Sequence, residues 1–190
     1  LYILETGDTI QSVADLEGKT IYSTGAGTTP EYTLRYLLSA YGIDPDQDVT
    51  IEYKSEATEV AAILSEAEDA VAMLPQPYVT TVMMNNDRVR IALDVTEEWE
   101  AVSENGSSVV TGVVAVNSAF LEENPEAVDA FLEEYEASTA FVNDSVEEAA
   151  ALVESFDIFT AAVAEQAIPY CNVTFLRGDE MREKLSGYLQ

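Results

Sequence analysis

The chain has 190 residues, of which 47% are hydrophobic, enough for the core of one medium domain or of one domain with part of another. Its 36 acidic and 8 basic residues give a net charge of −28, which disfavours nucleic acid and anionic membrane surfaces as partners. One cysteine, Cys171, and no histidine exclude an internal disulfide and a zinc site built from cysteine and histidine.

Strands and helices are predicted to alternate over the first half of the chain. The predicted strands are Leu1–Glu5, Lys19–Ser23, Val49–Tyr53, Ala70–Leu74 and Val89–Leu93. The predicted helices are Ser12–Leu16, a helix that begins with Thr29 as N-cap and Pro30 as first residue, Ala57–Glu66 and Tyr78–Met84. The continuous apolar run of Ala70–Leu74 is typical of a central strand buried on both faces. This alternation predicts an α/β fold with a doubly wound, mostly parallel sheet.

The second half has a different pattern. Thr96–Ser108 is predicted to be a long polar connection that carries the only tryptophan, Trp99, and Val109–Asn117 a long strand. Helical periodicity then dominates. The C-terminal helices are predicted at Pro125–Val142, Ser145–Phe156, Thr160–Ala167 and Asp179–Leu189.

A turn rich in glycine and threonine, residues 24–29, joins the second strand to the helix that follows. Glycine lets the backbone approach a ligand closely, and the first N–H groups of a helix carry partial positive charge. Such a turn at the carboxyl end of a strand suits an anion or another polar ligand. A capped turn with no ligand is the alternative interpretation. The candidate contacts, through backbone and hydroxyl groups, are Thr24, Gly25, Gly27, Thr28 and Thr29.

A second candidate loop, Pro75-Gln76-Pro77-Tyr78, follows the fourth strand. Two prolines stiffen the loop around Gln76, whose amide both donates and accepts hydrogen bonds. Because the two loops follow strands that end at one sheet edge, we expect them to face one cleft. Gln76 and Tyr78 are therefore further candidate contacts, with a plain strand-to-helix turn as the alternative.

No catalytic or cofactor site is predicted. A nucleophilic triad usually needs a histidine or an equivalent base, and carboxylate pairs are uninformative among 36 acidic residues. Asp44, Asp46 and Asp48 imitate the start of a calcium loop, but Val49 and Ser55 stand where that loop needs glycine and glutamate.

The order and spacing of several motifs resemble those of ABC-transporter substrate-binding proteins of the nitrate, sulfonate and taurine type, and of relatives that bind thiamine pyrimidine precursors. The segments that carry the resemblance are Ile10–Ile21, Gly25–Leu38, Gly42–Pro45, Asp69–Tyr78 and Asn117–Leu132. Where that family usually has Pro-Glu-Pro, this chain has Gln76 between its prolines.

The resemblance implies one lobe of a type II periplasmic-binding-protein fold with C-terminal helices. Residues 1–117 would form the second lobe, with hinge-crossing strands at Leu1–Glu5 and Val113–Asn117. Residues 118–190 would return toward a first lobe that precedes Leu1 in a longer precursor. A homodimer of this fragment, through its exposed lobe-facing surface, is a further expectation.

The implied function is capture of a small solute between two lobes and its delivery to a membrane permease, outside the cytoplasm, in the periplasm or at a lipid anchor. Two alternatives share the fold: an effector-binding domain of a transcriptional regulator, and an enzyme related to pyrimidine synthases. An upstream lipoprotein signal would favour the receptor, and an upstream helix-turn-helix the regulator. Such enzymes depend on histidine, which this chain lacks. The solute is left open between an anion and a neutral heterocycle.

Overall fold

In the computed structural model, which describes residues 1–189, five strands form one mixed sheet in the order β3-β2-β4-β1-β5. The strands are β1 (Tyr2–Thr6), β2 (Thr20–Ser23), β3 (Thr50–Tyr53), β4 (Val71–Leu74) and β5 (Val89–Asp94). β2 pairs in parallel with β3 and β4, whereas β1 runs antiparallel between β4 and β5. The predicted α/β fold with a mostly parallel sheet is therefore confirmed.

The helices include those predicted after the second strand, together with helices at Val95–Val102 and Ser118–Glu123, which were not predicted. They are α1 (Thr29–Ala40), α2 (Ala57–Glu66), α3 (Tyr78–Asn85), α4 (Val95–Val102), α5 (Ser118–Glu123), α6 (Pro125–Asp144), α7 (Val146–Ser155), α8 (Ala161–Ala167) and α9 (Gly178–Tyr188). Short 3-10 turns occur at Val13–Leu16 and Ile168–Tyr170. The chain divides into two units, one of residues 1–110 with the segment from Arg182 onward, the other of residues 111–181.

Helices cover both faces of the sheet in the first unit. On one face, α1 buries Leu34, Leu37 and Leu38 against strand residues such as Ile21 and Met73. On the other face, the apolar residues of α2 and α3 pack against the alternate strand positions. This second cluster includes Leu4, Val60, Leu64, Ala72, Leu74, Val79 and Val82. All four residues of β4 are buried, as predicted for a central strand.

Two predictions for residues 96–117 were wrong. The supposed polar connection contains α4, in which the Asp94 side chain accepts a hydrogen bond from Thr96 N at 2.8 Å as an N-cap. The carboxylates of α4 make this segment look polar in sequence, although Val95 and Trp99 form a narrow apolar face on the helix. Residues 109–117 form no strand, and Val113 is 63% exposed. Alternating apolar residues make a strand only where a neighbouring strand takes their hydrogen bonds.

The end of the chain packs back onto α1 and α4 within the first unit. The ring of Trp99 lies 4.3 Å from that of Tyr36 and 5.1 Å from that of Tyr188, measured between centroids. Trp99 Nε1 donates a hydrogen bond to Ser107 Oγ at 3.0 Å, and the hydroxyls of Tyr188 and Thr33 are 2.7 Å apart. This aromatic cluster joins the end of the chain to α1 and α4.

The second unit is helical and has a small core. Ala149, Ala150, Ala164 and Ile168 form its buried cluster. In α6, Thr139 is the one buried residue that the structure describes. Large apolar side chains are exposed instead, among them Val113, Val114, Phe120, Leu121 and Phe131. Within residues 1–189, no helix combines the length and the apolar character needed to cross a bilayer.

An ion pair between a buried carboxylate and a partly exposed guanidinium joins β1 to β5. Glu5 and Arg90 face each other in the strand register, and the Glu5 side chain is 2% exposed. The Glu5 carboxylate accepts hydrogen bonds from Ile10 N, from the backbone and hydroxyl of Thr9, and from the Arg90 guanidinium. Burial alone raises the pKa of Glu5, but these hydrogen bonds together hold the pKa below its ordinary value.

Breaking this pair should destabilise the protein strongly. Arg90→Ala leaves the Glu5 carboxylate buried without its counter-ion, so we expect the free energy of unfolding to fall by about 3–5 kcal/mol. Arg35→Ala breaks a pair with Asp46 at the surface and is the matched control, with a loss below about 1 kcal/mol. Urea unfolding measures both values. Equal losses in the two variants would show that the pair of Glu5 with Arg90 contributes no more to the free energy of unfolding than a surface pair does.

The same carboxylate should make stability depend on pH. Because the pKa of Glu5 is lower in the folded state than its ordinary 4.5, the unfolded state binds more protons between these two values. The stabilisation from Glu5 is therefore complete above pH 4.5 and is lost as pH falls through the folded-state pKa. We expect the difference in unfolding free energy between wild type and Glu5→Gln to shrink over that range. A difference that stays constant with falling pH would contradict this assignment.

Candidate functional site

The strand register brings three loops to one edge of the sheet. Ser23 pairs with Tyr53 of β3 and with Met73 of β4, so these parallel strands end at the same level. The Ser23 hydroxyl also donates to the carbonyl of Met73, 3.3 Å away. We call the loops that follow, residues 24–28, 54–56 and 75–77, the carboxyl edge. The two loops selected from the sequence thus follow neighbouring strands.

The loop of residues 24–28 is a closed turn. Thr28 donates to the carbonyl oxygen of Gly25 from its backbone N at 3.0 Å and from its hydroxyl at 2.6 Å. Gly25 and Gly27 have φ of +78° and +74°, which glycine adopts at little cost. The N-cap is Thr28 and not Thr29 as predicted, because Thr28 has extended backbone angles and its carbonyl accepts from Tyr32 N.

The predicted contacts in this loop differ in exposure. Gly27 and Thr28 are exposed, whereas Thr24, Gly25 and Thr29 are half-buried. The backbone N–H of Thr28 and its hydroxyl are already used inside the turn. The side-chain groups of this loop that remain for a solute are therefore the hydroxyls of Thr24 and Thr29.

Sequence reasoning overlooked Glu31. Its carboxylate accepts a hydrogen bond from Gly27 N at 2.7 Å, across the first turn of α1. A carboxylate is favourable there because the N-terminus of a helix carries partial positive charge. The signal in the sequence is an acidic residue in the first turn of the helix.

Sequence reasoning also overlooked Tyr53, at the end of β3. By strand alternation Tyr53 lies on the same face as Ile51, the face that α1 covers. Its hydroxyl is the one buried side-chain polar atom that lacks a hydrogen-bond partner among the described residues. Burial raises the pKa of Tyr53 to about 12, and the negative charge of Glu31 acts in the same direction. The phenol is therefore neutral at physiological pH.

The amide oxygen of Gln76 is used in hydrogen bonds to the helix that follows it. Its Oε1 accepts from Thr80 N at 3.2 Å and from the Thr80 hydroxyl at 2.9 Å, so the amide oxygen caps the first turn of α3. Only the amide nitrogen remains to donate to a solute. Tyr78 begins α3 and is 37% exposed.

Two cations near the carboxyl edge are each paired with a carboxylate. Arg35 lies 2.7 Å from Asp46, and Lys54 lies 2.9 Å from Glu52 and 5.4 Å from the ring centre of Tyr22. Among residues 1–189, no cluster of three or more carboxylate or thiol groups is arranged to hold a metal ion.

A surface depression of the first unit lies along the C-terminal half of α1 and the loop that follows it. It is an open groove of about 620 Å³, lined by Arg35, Tyr36, Ser39 and residues 42–46. It shares no residue with the loops selected from the sequence. Its exposure to solvent on most sides suits a surface feature better than a solute site.

A model of the NMT1/THI5-like family matches residues 1–149. No curated protein sequence matches the chain. In fold, the chain is similar to the periplasmic aliphatic sulphonate binding protein SsuA of Escherichia coli, with 18% identity, a TM-score of 0.74, and coverage of 99% of this chain and 58% of that one.

Two further solved structures show the same similarity. An ABC transporter structure from Parabacteroides distasonis has 20% identity and a TM-score of 0.70, with coverage of 99% of this chain and 61% of that one. The alkanesulfonate-binding protein SsuA from Xanthomonas axonopodis pv. citri, bound to MOPS, has 15% identity and a TM-score of 0.70, with coverage of 98% and 60%. At this identity the likeness shows the fold, and this chain spans about three fifths of each relative.

The two glycines of the turn should respond differently to alanine. Both have positive φ, so either substitution costs about 1–2 kcal/mol of backbone strain. At Gly25 the new Cβ would also lie 2.8 Å from Thr28 Oγ1 and 3.0 Å from Pro30 Cγ, whereas at Gly27 it meets open space. We expect Gly25→Ala to lower the free energy of unfolding more than Gly27→Ala, measured in urea. The reverse order would mean that the turn is built differently.

Proposed function

This chain belongs to the NMT1/THI5-like family, and we propose that it is the solute-binding component of an ABC importer. The observation that supports this most is the alignment of the loops after β2 and β4 at one sheet edge. In open α/β sheets, ligands bind at the carboxyl ends of the strands. The fold shared with two sulfonate-binding proteins agrees with a binding role.

The proposed contacts are Thr24, Gly25, Gly27, Thr28, Thr29, Gln76 and Tyr78. The glycines allow close approach to the backbone, and the hydroxyls of Thr24 and Thr29 and the Gln76 amide nitrogen supply hydrogen bonds. The Thr28 hydroxyl, which donates to Gly25, can still accept one, and Tyr78 offers an aromatic surface. Tyr53 joins this set because a buried hydroxyl without a partner gains a hydrogen bond when a solute or water reaches it. The role requires binding and release, with no reaction.

A second lobe would complete the cleft and close over the solute. In this proposal, residues 1–117 form one lobe together with the end of the chain, which packs on α1 and α4, and the helices between them pack against the other lobe. The exposed apolar side chains of the helical unit, such as Phe120, Leu121 and Phe131, would be covered there. Self-association of the isolated chain through the same surface is the competing outcome. The whole receptor would work outside the cytoplasm and deliver its solute to a membrane permease.

A thermal-shift screen of the natural full-length protein tests the proposal. The panel contains nitrate, taurine, alkyl sulfonates, pyrimidine precursors and amino acids. A solute that binds only the folded state adds about 2.7 kcal/mol of stability at a hundredfold excess over its Kd. We expect a clear rise in Tm with one chemical class. A folded protein that responds to none of these solutes would contradict the importer role.

Variants then locate the site. Each lost hydrogen bond contributes about 0.5–1.5 kcal/mol, so Thr29→Ala and Gln76→Ala should each weaken binding about two- to tenfold by calorimetry. Thr160→Ala removes a threonine at the start of α8, remote in sequence, and should leave Kd unchanged. Unchanged affinity in the first two variants would move the site away from the carboxyl edge.

A further inference from the structure

The N-terminus of α1 is already occupied by a negative group. Glu31 is the third residue of α1, and its Oε2 accepts from Gly27 N at 2.7 Å. A sulfonate, nitrate or carboxylate bound at this turn would need the same N–H and the same partial positive charge of the helix. The chain's own carboxylate takes both.

The nearby cations also do not favour an anionic solute. Arg35 is held by Asp46 and Lys54 by Glu52, so neither guanidinium nor ammonium is set aside to neutralise an anionic solute. The remaining polar groups, the Tyr53 hydroxyl and the Gln76 amide nitrogen, are neutral. An anion placed among them would face Glu31 with no counter-charge from these residues.

We propose that Glu31 is a specificity-determining residue that excludes anions from the carboxyl edge and selects a solute whose nearest part is neutral or cationic and donates hydrogen bonds. The inference rests on the proposed function, because it assigns a solute class to the same site. It also separates this chain from the sulfonate-binding proteins that share its fold.

Two probes with the same ethyl group and opposite charge test the inference, ethylammonium and ethanesulfonate. Each is titrated into the 15N-labelled protein at constant ionic strength, and the amide signals of Gly27 and Thr28 are followed. In the wild type, ethylammonium should shift these signals in a saturable way, and ethanesulfonate should not. In Glu31→Gln and Glu31→Ala the preference should reverse, with about fivefold or more change in apparent affinity for each probe.

Glu59→Ala is the matched control. Glu59 is the third residue of α2, and its carboxylate accepts from Glu56 N at 3.2 Å, so it repeats the arrangement of Glu31 at another helix. This variant should leave the response of Gly27 and Thr28 unchanged. Glu31→Gln retains an acceptor for Gly27 N, so it remains informative if Glu31→Ala does not fold.

The outcomes separate this inference from the proposed function. Saturable shifts of Gly27 and Thr28 by ethanesulfonate in the wild type, no stronger in the Glu31 variants, would overturn the role of Glu31. A tight sulfonate ligand found in the thermal-shift screen and mapped to these amides would support the receptor and overturn the inference. A charge reversal in the probes together with no solute in the screen would uphold Glu31 and refute the importer role.

Discussion

The parallel pairing of β2 with both β3 and β4 is the constraint on which the proposed site depends. It ends three strands at one level and places the loops after Ser23, Tyr53 and Leu74 side by side. The hydrogen bond from the Ser23 hydroxyl to the Met73 carbonyl also links β2 and β4 at this level. A shift of β2 by one residue would move its apolar side chains to the other face and separate the loops. The site is therefore a consequence of register as much as of loop composition.

The two ends of the antiparallel strand β1 lie at opposite edges of the sheet, one near the candidate site and one at the ion pair of Glu5 with Arg90. Its start, at Tyr2, lies beside the ends of β4 and β5, on the side of the carboxyl edge. Its other end carries the ion pair of Glu5 with Arg90, so this interaction lies away from the candidate site. Loops at the carboxyl edge are thus free to vary in sequence without weakening that pair. The aromatic cluster around Trp99 supports α1 independently.

The sequence predicted much of this arrangement because the relevant signals are local. The apolar run at residues 70–74, the proline at the start of α1 and the alternation of strands with helices each depend on short-range patterns. The sequence did not reveal that Thr28 and Gln76 form hydrogen bonds to residues near them in the chain. It also did not reveal that the Glu31 carboxylate accepts a hydrogen bond from Gly27 N. These contacts depend on side-chain direction, which a linear pattern does not encode. The strand prediction for residues 109–117 was wrong for a related reason, because a strand forms only where a neighbouring strand pairs with it.

A structure of the natural full-length protein with its solute bound is the most direct test of the account. We expect the solute at the carboxyl edge, within hydrogen-bonding distance of residues 24–29 and of the Gln76 amide nitrogen. A solute bound instead in the open groove lined by Arg35, Ser39 and residues 42–46, with the carboxyl edge untouched, would contradict it.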